Sequence, residues 1–358
     1  MTSKLLLCAL PIVLLTACEK KPESTPAPAV TTSAAPSIAP AANVPPADAV
    51  DDAMLAAFKP ALPASFESKE NPSTDDKVLL GRTLYFDTRL SAAGDVSCNS
   101  CHQLDKFGVD GEKTSPGHKK QRGKRNSPTV FNAAGHFVQF WDGRAKDVEE
   151  QAKGPVLNPV EMAMENDKAV VAALSKVKWY KDQFAKAFPG EKDPITFDNM
   201  AKAIGAFERK LATPSRWDKF LGGDKTALTK DEKIGFNTFV KAGCTACHMG
   251  THLGAAMYQK LGIVQPWKGE GDLGRFEHTK ADADKMFFKV PTLRNVAKTA
   301  PYYHDGSIAT LAEAVSSMAK LQLGKDLSAA DVASIVTFLE ALTGEPPKDL
   351  VAAPTLPK

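Results

Sequence analysis

The sequence has no large excess of charge of either sign. Its 358 residues include 45 Lys and Arg and 42 Asp and Glu, which gives a formal net charge of +3. A protein dedicated to binding nucleic acid usually carries a clear basic excess, so this near balance argues against that class. Hydrophobic residues make up 43% of the chain, enough to build a substantial core and about two domains of ordinary size.

Long apolar runs are missing after the N-terminus, where none reaches the roughly 18 residues of a membrane-spanning helix. At the start, Lys4 precedes an apolar stretch at residues 5–15, and Leu15-Thr16-Ala17-Cys18 closes it. This arrangement is typical of a secretory signal and resembles a bacterial lipobox, in which Cys18 carries the lipid and becomes the mature N-terminus. Cleavage near Ala17 without a lipid is the alternative. We expect a periplasmic protein anchored through Cys18, and Glu19 in place of Asp favours the outer membrane.

The segment after Cys18 has little that could form a core. Residues 21–50 are rich in Pro, Ala, Ser and Thr. Such a segment cannot bury enough apolar surface to offset the entropy lost on ordering. We therefore predict a flexible linker between the anchor and the globular part.

Cysteine is also scarce, with six in the whole chain, and Cys8 lies inside the signal. Besides Cys18, four remain. In an exported protein they could form two disulfides. Instead, each pair has the form Cys-x-x-Cys-His, at Cys98-Asn99-Ser100-Cys101-His102 and Cys244-Thr245-Ala246-Cys247-His248. This spacing is that of c-type haem attachment, where two thiols bond the vinyl groups and the His binds the iron. A redox pair or a zinc site is the alternative, but neither needs a His after each pair. The sequence predicts two covalent haems with proximal ligands His102 and His248.

Strand-like alternation is scarce, whereas amphipathic helical patterns recur. They cover residues 167–188 and 197–211, a capping box at Thr229-Lys-Asp-Glu232, and residues 328–342 closed by Gly344. The fold class predicted is mainly α, with two cytochrome-c-like domains joined near residues 205–225.

The sixth ligand of the second haem must come from a residue well removed along the chain. Met249, His252 and Met257 follow His248 too closely and leave from its own side of the haem. Met286 and Met318 are far enough, and Met318 lies in a helix-then-loop context. A Met that only fills the core is the alternative. His/Met ligation would give this haem a higher potential than two imidazoles would.

The candidates for the first haem are His118 and His136. His118 lies in a polar loop rich in Gly, Pro, Lys and Arg, which is typical of a mobile segment. His136 lies among apolar residues in FNAAGHFVQFWDG, where a packed core His is the simpler interpretation.

The two motifs stand within longer stretches that together resemble the bacterial dihaem cytochrome c peroxidases. These stretches are CNSCH, KTSPGHKKQRGKRNSPTVFNA, QFWDGRAKDVEEQAKGPV and VEM in the first half. In the second half they are CTACH, LGRF, PTLRNVAKTAPYYHDGSI and QLG. The resemblance covers about residues 55–350 and implies both the fold and an activity.

By this resemblance, the haem on His102 is the low-potential peroxidatic centre and His118 is its displaceable sixth ligand. The haem on His248 and Met318 is the high-potential site of electron entry. Trp141 lies between the haems, and Gln151 and Glu161 line the peroxide pocket. Three further positions match a calcium site between the domains, Asn126, Thr299 and Pro301, the last two through backbone carbonyls.

The sequence patterns above predict how the chain divides into segments, and the resemblance implies that the C-terminal tail returns to the first domain. The predicted segments are a signal peptide at 1–17, a lipidated N-terminus and Pro/Ala-rich linker at 18–52, an N-terminal peroxidatic haem domain at 53–210, a C-terminal electron-transfer haem domain at 211–345, and a C-terminal tail at 346–358 that returns to the first domain. Family members are commonly homodimers, so we expect one here.

The implied residues also have physical readings of their own. Glu161 follows LNPV and precedes MAM, and apolar surroundings would raise its pKa and suit it to moving a proton. A solvated or helix-capping Glu is the alternative. Gln151 can orient peroxide without competing for the iron. Trp141 can be core, relay, or both.

The expected activity is reduction of H2O2 to water with electrons from a small periplasmic c-type cytochrome or cupredoxin. One rival is a non-catalytic dihaem electron carrier, in which both haems stay six-coordinate. The other is a dihaem enzyme that oxidises a protein substrate, whose relatives use Tyr where this chain has Met318.

Overall fold

The computed structural model describes residues 46–269 and 271–358. The predicted signal peptide, the lipid site Cys18 and most of the predicted linker lie outside the described residues. Within the described part of the chain, no helix is long and apolar enough to cross a membrane.

Short helices make up most of the ordered structure. The α-helices are α1 (Asp52–Ala56), α2 (Asp75–Phe86), α3 (Cys98–Cys101), α4 (Val148–Leu157), α5 (Asp167–Ser175), α6 (Lys178–Ala187), α7 (Phe197–Glu208), α8 (Arg216–Leu221), α9 (Lys230–Ala242), α10 (Phe276–Thr279), α11 (Leu311–Leu323), α12 (Ala329–Glu340) and α13 (Lys348–Val351). Single 3-10 turns lie at Thr88–Leu90, Leu104–Lys106, His118–Lys120, Ala133–Gly135, Cys244–Ala246, Asp282–Asp284 and Val296–Lys298. Two short antiparallel strands, β1 (Tyr258–Lys260) and β2 (Phe287–Lys289), pair Tyr258 with Lys289. The prediction of a mainly α fold is confirmed.

Local capping explains where the helices begin. The Thr229 side chain accepts from the Glu232 N–H, and the Glu232 side chain accepts from the Thr229 N–H, so α9 starts at the predicted capping box. Thr196 caps α7 in the same way through the N–H of Asn199. The predicted helix at 167–188 is two helices, since α5 ends at Ser175 and α6 starts at Lys178.

Gly344 does not close a helix, as the sequence pattern suggested. Helix α12 ends at Glu340 and its cap is Ala341. The Gly344 N–H instead donates to Asn295 Oδ1 at 3.0 Å, and a Cβ at this position would lie 2.0 Å from the carbonyl oxygen of Thr213. Glycine is required here by close approach of two backbones, which is a tertiary requirement.

The buried apolar residues form two large clusters. The first gathers α2 and the helices from α4 to α7 around Leu84, Phe184 and Phe207. The second gathers α8, α9 and α12 around Trp217 and Phe338. Each cluster packs against one Cys of a haem motif, Cys98 in the first and Cys244 in the second.

The first residues that the structure describes pack against the second cluster, although the prediction assigns the chain from residue 53 to the first domain. Leu55 and Phe58 are buried in the second cluster, the one built on α9 and α12. Upstream, the Asn237 side chain on α9 donates to the carbonyl oxygens of Ala47 and Ala49 at 2.9 and 2.8 Å. Residues 46–58 therefore pack on the second half of the chain, and the last part of the predicted linker is held there.

A buried amide network lies where the two halves join. The Thr213 hydroxyl accepts from the side chains of Asn132 at 2.8 Å and Asn295 at 2.9 Å. Asn132 comes from the first half and Asn295 from the second, so Thr213 links both halves in the region of the predicted connection.

The C-terminal tail contacts the first cluster. Leu350 and Val351 pack against it, and the Arg82 guanidinium on α2 donates to the carbonyl of Ala352 at 2.7 Å. The division into domains at 210 and 345 stays a prediction.

Candidate functional site

Both Cys-x-x-Cys-His motifs open into one cavity. Its wall includes Cys98, Cys101 and His102 from the first motif and Cys244, Cys247 and His248 from the second. The cavity also brings together residues that are more than a hundred positions apart in the sequence, which is the arrangement expected of a shared functional site.

Local structure folds each motif into a single turn. Helix α3 begins at Cys98, and the N–H of His102 donates to the Cys98 carbonyl at 3.0 Å. The second motif follows Gly243, whose φ of 97° ends α9 in the left-handed region. There the N–H of His248 donates to the Cys244 carbonyl, also at 3.0 Å.

The two proximal histidines fit the role of iron ligands. The Nδ1 of His248 lies 2.9 Å from the Leu253 carbonyl, a bond that fixes the tautomer and leaves Nε2 for a metal. The Tyr85 hydroxyl donates to the His102 carbonyl at 2.7 Å and so positions that backbone. Burial lowers the pKa of both imidazoles, which favours the neutral form that binds iron.

Of the two distant methionines, only Met318 reaches the cavity. Met318 lies on α11 and lines the wall together with His248. Met286 packs beside Phe288 and does not line the cavity. Met249 and Met257 are exposed on the surface.

The loop that carries His118 is closed on itself and tied to the segment of Glu161. The Gly117 N–H donates to the Gln121 carbonyl at 2.8 Å, and Lys119 takes a left-handed conformation with φ of 52°. The His118 N–H donates to the Glu161 carbonyl at 2.7 Å. Gly117 lines the cavity, whereas the half-buried His118 does not. Among the residues predicted around the first haem, His118 is therefore the one that the structure does not bring to the cavity wall.

His136, the other candidate for the first haem, is held by its neighbours. Its Nδ1 lies 3.4 Å from the Lys289 Nζ, and its ring meets that of His252 edge to face at 5.1 Å between centroids. Burial lowers the pKa of His136 well below its ordinary value, and the positive charges of Lys289 and His252 act in the same direction. His136 also lines the cavity.

A carboxyl group and an amide face the same cavity. Gln151 on α4 and Glu161, which follows that helix, both line it. The Glu161 Oε1 accepts from the Asn158 side chain at 2.8 Å. Burial raises the pKa of Glu161, and this outweighs the opposite effects of the Arg144 charge and of Asn158. This direction agrees with the one expected from the apolar residues around Glu161.

Trp141 and the three predicted calcium positions also lie on the cavity wall. The Trp141 indole N–H donates to the Asn126 carbonyl at 2.9 Å. The Asn126 side-chain NH2 donates to the Glu112 carbonyl at 3.0 Å, which leaves its Oδ1 available to a cation. Thr299 and Pro301 line the same cavity.

Sequence reasoning missed several charged residues of the cavity, among them Arg144 and Glu208. The Arg144 guanidinium bonds Asp142 at 2.9 Å and lies 3.4 Å from the centre of the Phe140 ring. Glu208 is buried at the end of α7, and burial raises its pKa to about 8. The sequence signal that could have identified Glu208 is its position four residues after Ile204, which puts a carboxyl group on the apolar face of α7.

Two haem attachment motifs lie on the wall of one cavity, and each contributes a half-buried His. These features define the class of the protein as a dihaem c-type cytochrome. The family model described as di-haem cytochrome c peroxidase matches residues 75–226. A cytochrome c551 peroxidase from Nitrosomonas europaea is 45% identical over 82% of this chain and 87% of its own length. A cytochrome c551 peroxidase from Pseudomonas aeruginosa is 46% identical over 87% of this chain and 90% of its own length. The chain belongs to the di-haem cytochrome c peroxidase family, which implies two haem c groups.

A solved structure has the same fold. The crystal structure of a MauG-like protein associated with microbial copper homeostasis matches with a TM-score of 0.73 at 30% identity. The match covers 83% of this chain and 97% of that chain.

Proposed function

We propose that this protein reduces hydrogen peroxide to two molecules of water, with electrons that arrive singly from a small periplasmic c-type cytochrome or cupredoxin. Two relatives named as peroxidases, similar over most of the chain, support the reaction. The observation that carries it is the position of the half-buried Glu161, whose pKa is raised, on the wall of the cavity that contains His102.

When bound, the haem held by His102 would supply the iron for peroxide reduction, and the haem held by His248 and Met318 would supply an electron. The chain's own groups manage protons and orientation. The Gln151 amide donates a hydrogen bond to peroxide and holds it in place. Glu161 takes the proton from the inner oxygen and delivers it to the outer oxygen, which leaves as water when the O–O bond breaks. Two electrons and two further protons complete the second water.

His118 controls access in this proposal. His118 would hold the first haem as a displaceable ligand, and its imidazole would then exclude peroxide until it is displaced. Such control would require two arrangements of the loop whose relative stability differs between the redox states of the second haem.

Trp141 and a calcium ion connect the two halves in this scheme. The π system of Trp141 would relay electrons between the bound haems, and the indole hydrogen bond to the Asn126 carbonyl joins Trp141 to the proposed cation site. Asn126 provides a side-chain oxygen and Thr299 and Pro301 provide carbonyls, all of which are hard oxygen ligands suited to Ca²⁺. With few carboxylates among these ligands, we expect modest affinity.

We further propose a periplasmic homodimer attached to the outer membrane by lipid on Cys18. A Cys18→Ser variant should appear in the soluble periplasmic fraction, with a Cys8→Ser variant as the control inside the signal. Unchanged membrane association of Cys18→Ser would contradict the lipid anchor.

Haem stoichiometry and H2O2 turnover test the reaction itself. A haem-to-protein ratio near two, haem staining on a denaturing gel, and peroxide turnover by the pre-reduced protein are expected. Two intact haems without turnover would favour an electron carrier. A spectrum lacking His/Met ligation would instead favour an enzyme that oxidises a protein substrate.

A further inference from the structure

Among the residues that the structure describes, four Lys or Arg side chains line the haem cavity, and three of them pair with protein carboxylates. These pairs are Arg125 with Asp142 at 2.7 Å, Arg144 with Asp142 at 2.9 Å, and Arg294 with Asp218 at 2.5 Å. The fourth is Lys289, the last residue of β2.

Lys289 is buried without a carboxylate. The residue is only 7% exposed. No acidic group of the described residues lies within ion-pair distance of its Nζ. The Nζ instead donates to the Val138 carbonyl at 3.2 Å and lies 3.4 Å from His136 Nδ1. The Asp142 charge acts to raise the pKa of Lys289, but Arg125 and Arg144 already pair with that carboxylate.

An ammonium group in this position is incompletely satisfied. It has three N–H donors, and the two neutral acceptors account for two of them. A buried positive charge without a counter-charge is costly, and burial accordingly lowers the pKa of Lys289 to about 8. A carboxylate entering the cavity would remove this cost.

The cofactors of this family bring such carboxylates. Each haem c carries two carboxylate side chains on its ring, so a cavity that takes two haems must also accommodate their negative charges. Because the three arginines are already paired, Lys289 is the cavity-lining cation of the described residues that is left for a haem carboxylate.

We propose that Lys289 forms an ion pair with a carboxylate of one of the two haems, and that Val138 and His136 hold its ammonium in position. The proposal rests on the two haem c groups and is independent of the peroxide chemistry. Lys289 is then a residue that positions a haem and tunes its potential. Because reduction adds negative charge, a neighbouring cation stabilises the reduced haem.

The pairing would also connect the haem to the electron path proposed above. The Lys289 N–H donates to the Trp141 carbonyl at 2.8 Å, so the backbone next to the ammonium is hydrogen-bonded to the candidate relay. An ion pair between Lys289 and a haem would therefore link the position of that haem to the backbone of Trp141.

The test compares Lys289→Met with Lys289→Arg in the full chain with both haems attached. Redox titration followed by optical spectroscopy gives the potential of each haem separately, without peroxide or donor. Lys289→Met keeps the length and removes the charge. It should make one haem about tenfold harder to reduce, which is ~59 mV for a one-electron couple. Lys289→Arg should keep the wild-type value.

The haem that shifts identifies the source of the carboxylate. Lys285→Met is the matched control, since Lys285 pairs with Asp282 on the surface and its loss removes the same charge from this chain segment. If each haem has the same potential in Lys289→Met as in the wild-type protein, the proposal is overturned.

A crystal structure of the wild-type protein with both haems provides a second measurement that does not depend on any variant folding. The Nζ of Lys289 should lie within hydrogen-bond distance of a haem carboxylate oxygen. A separation beyond 4 Å from all four carboxylates would contradict the ion pair. Peroxide turnover can fail in either case without changing these readouts, so the two proposals are tested separately.

Discussion

The backbone N–H of His118 donates a hydrogen bond to the carbonyl oxygen of Glu161 across 2.7 Å. The residue proposed to control access is therefore bonded directly to the residue proposed to move protons. The two segments also approach closely at the preceding residues, Gly117 and Val160. A Cβ on Gly117 would lie 2.2 Å from the Val160 carbonyl oxygen. Any movement of the His118 loop must break this hydrogen bond or carry the Glu161 segment with it.

Replacement of His118 by Gly should open the first haem in the fully oxidised protein. The variant keeps the backbone N–H that bonds Glu161 and loses only the imidazole. We expect ligand binding and peroxide reaction without prior reduction, measured by optical titration and stopped-flow spectroscopy. Lys119→Gly is the matched control, since Lys119 already has φ of 52° and Gly tolerates it. A continued need for reduction in His118→Gly would assign the control of access to another group.

Replacement of Glu161 by Gln should lower peroxide turnover by about 10²-fold or more, because the amide keeps the shape but cannot carry the proton. The steady-state rate with a reduced donor measures the effect. Glu165→Gln, at an exposed position four residues on, provides the control and should keep the wild-type rate. Wild-type turnover in Glu161→Gln would exclude this carboxyl from proton transfer.

Replacement of Met318 by Leu should lower the potential of the second haem and slow electron entry, because the thioether ligand is lost. Met286→Leu makes the same chemical change at a residue that does not line the cavity, and it should leave the potential alone. Redox titration of both variants decides between the two methionines. An unchanged potential in Met318→Leu would mean that another residue binds the iron.

Replacement of Glu208 by Gln should change how stability depends on pH. Burial raises the pKa of Glu208 to about 8, above the value of 4.5 for a free Glu. The folded state therefore prefers the protonated carboxyl, and its contribution to stability is complete below about 4.5 and is lost as pH rises towards 8.

The Glu208→Gln variant lacks this loss. Its free energy of unfolding relative to wild type should rise between pH 5 and pH 8 by an amount on the order of a few kcal/mol. Chemical denaturation of the haem-loaded proteins at the two pH values measures it. Glu340→Gln, exposed at the end of α12, should show no such difference. A pH-independent difference for Glu208→Gln would place the carboxyl in a solvated environment.

Several features follow from short stretches of sequence because their physical causes are local. Thioether attachment needs two thiols and a His within five residues, so Cys98 to His102 and Cys244 to His248 identify the haem sites without any knowledge of the fold. The start of α9 is likewise set by reciprocal hydrogen bonds between Thr229 and Glu232, three residues apart.

Other features needed the tertiary structure because their causes join distant residues. Met286 and Met318 are both far enough along the chain from His248 to reach the other side of its haem. Packing brings Met318, and not Met286, to the cavity. Gly344 looked like a helix stop, yet its requirement comes from the Thr213 carbonyl. Lys289 reads as an ordinary basic residue until its neighbours are known.

By itself, then, the sequence determined the cofactor attachment sites, the mainly helical class and the family resemblance. Each of these depends on patterns among residues that are a few positions apart. The tertiary structure alone decided which groups are buried together. It joined His118 to Glu161 by a hydrogen bond, buried Glu208, and placed Lys289 where no carboxylate of the described residues pairs with it. Burial and charge pairing depend on what packs around a side chain, and that environment is assembled from the whole chain.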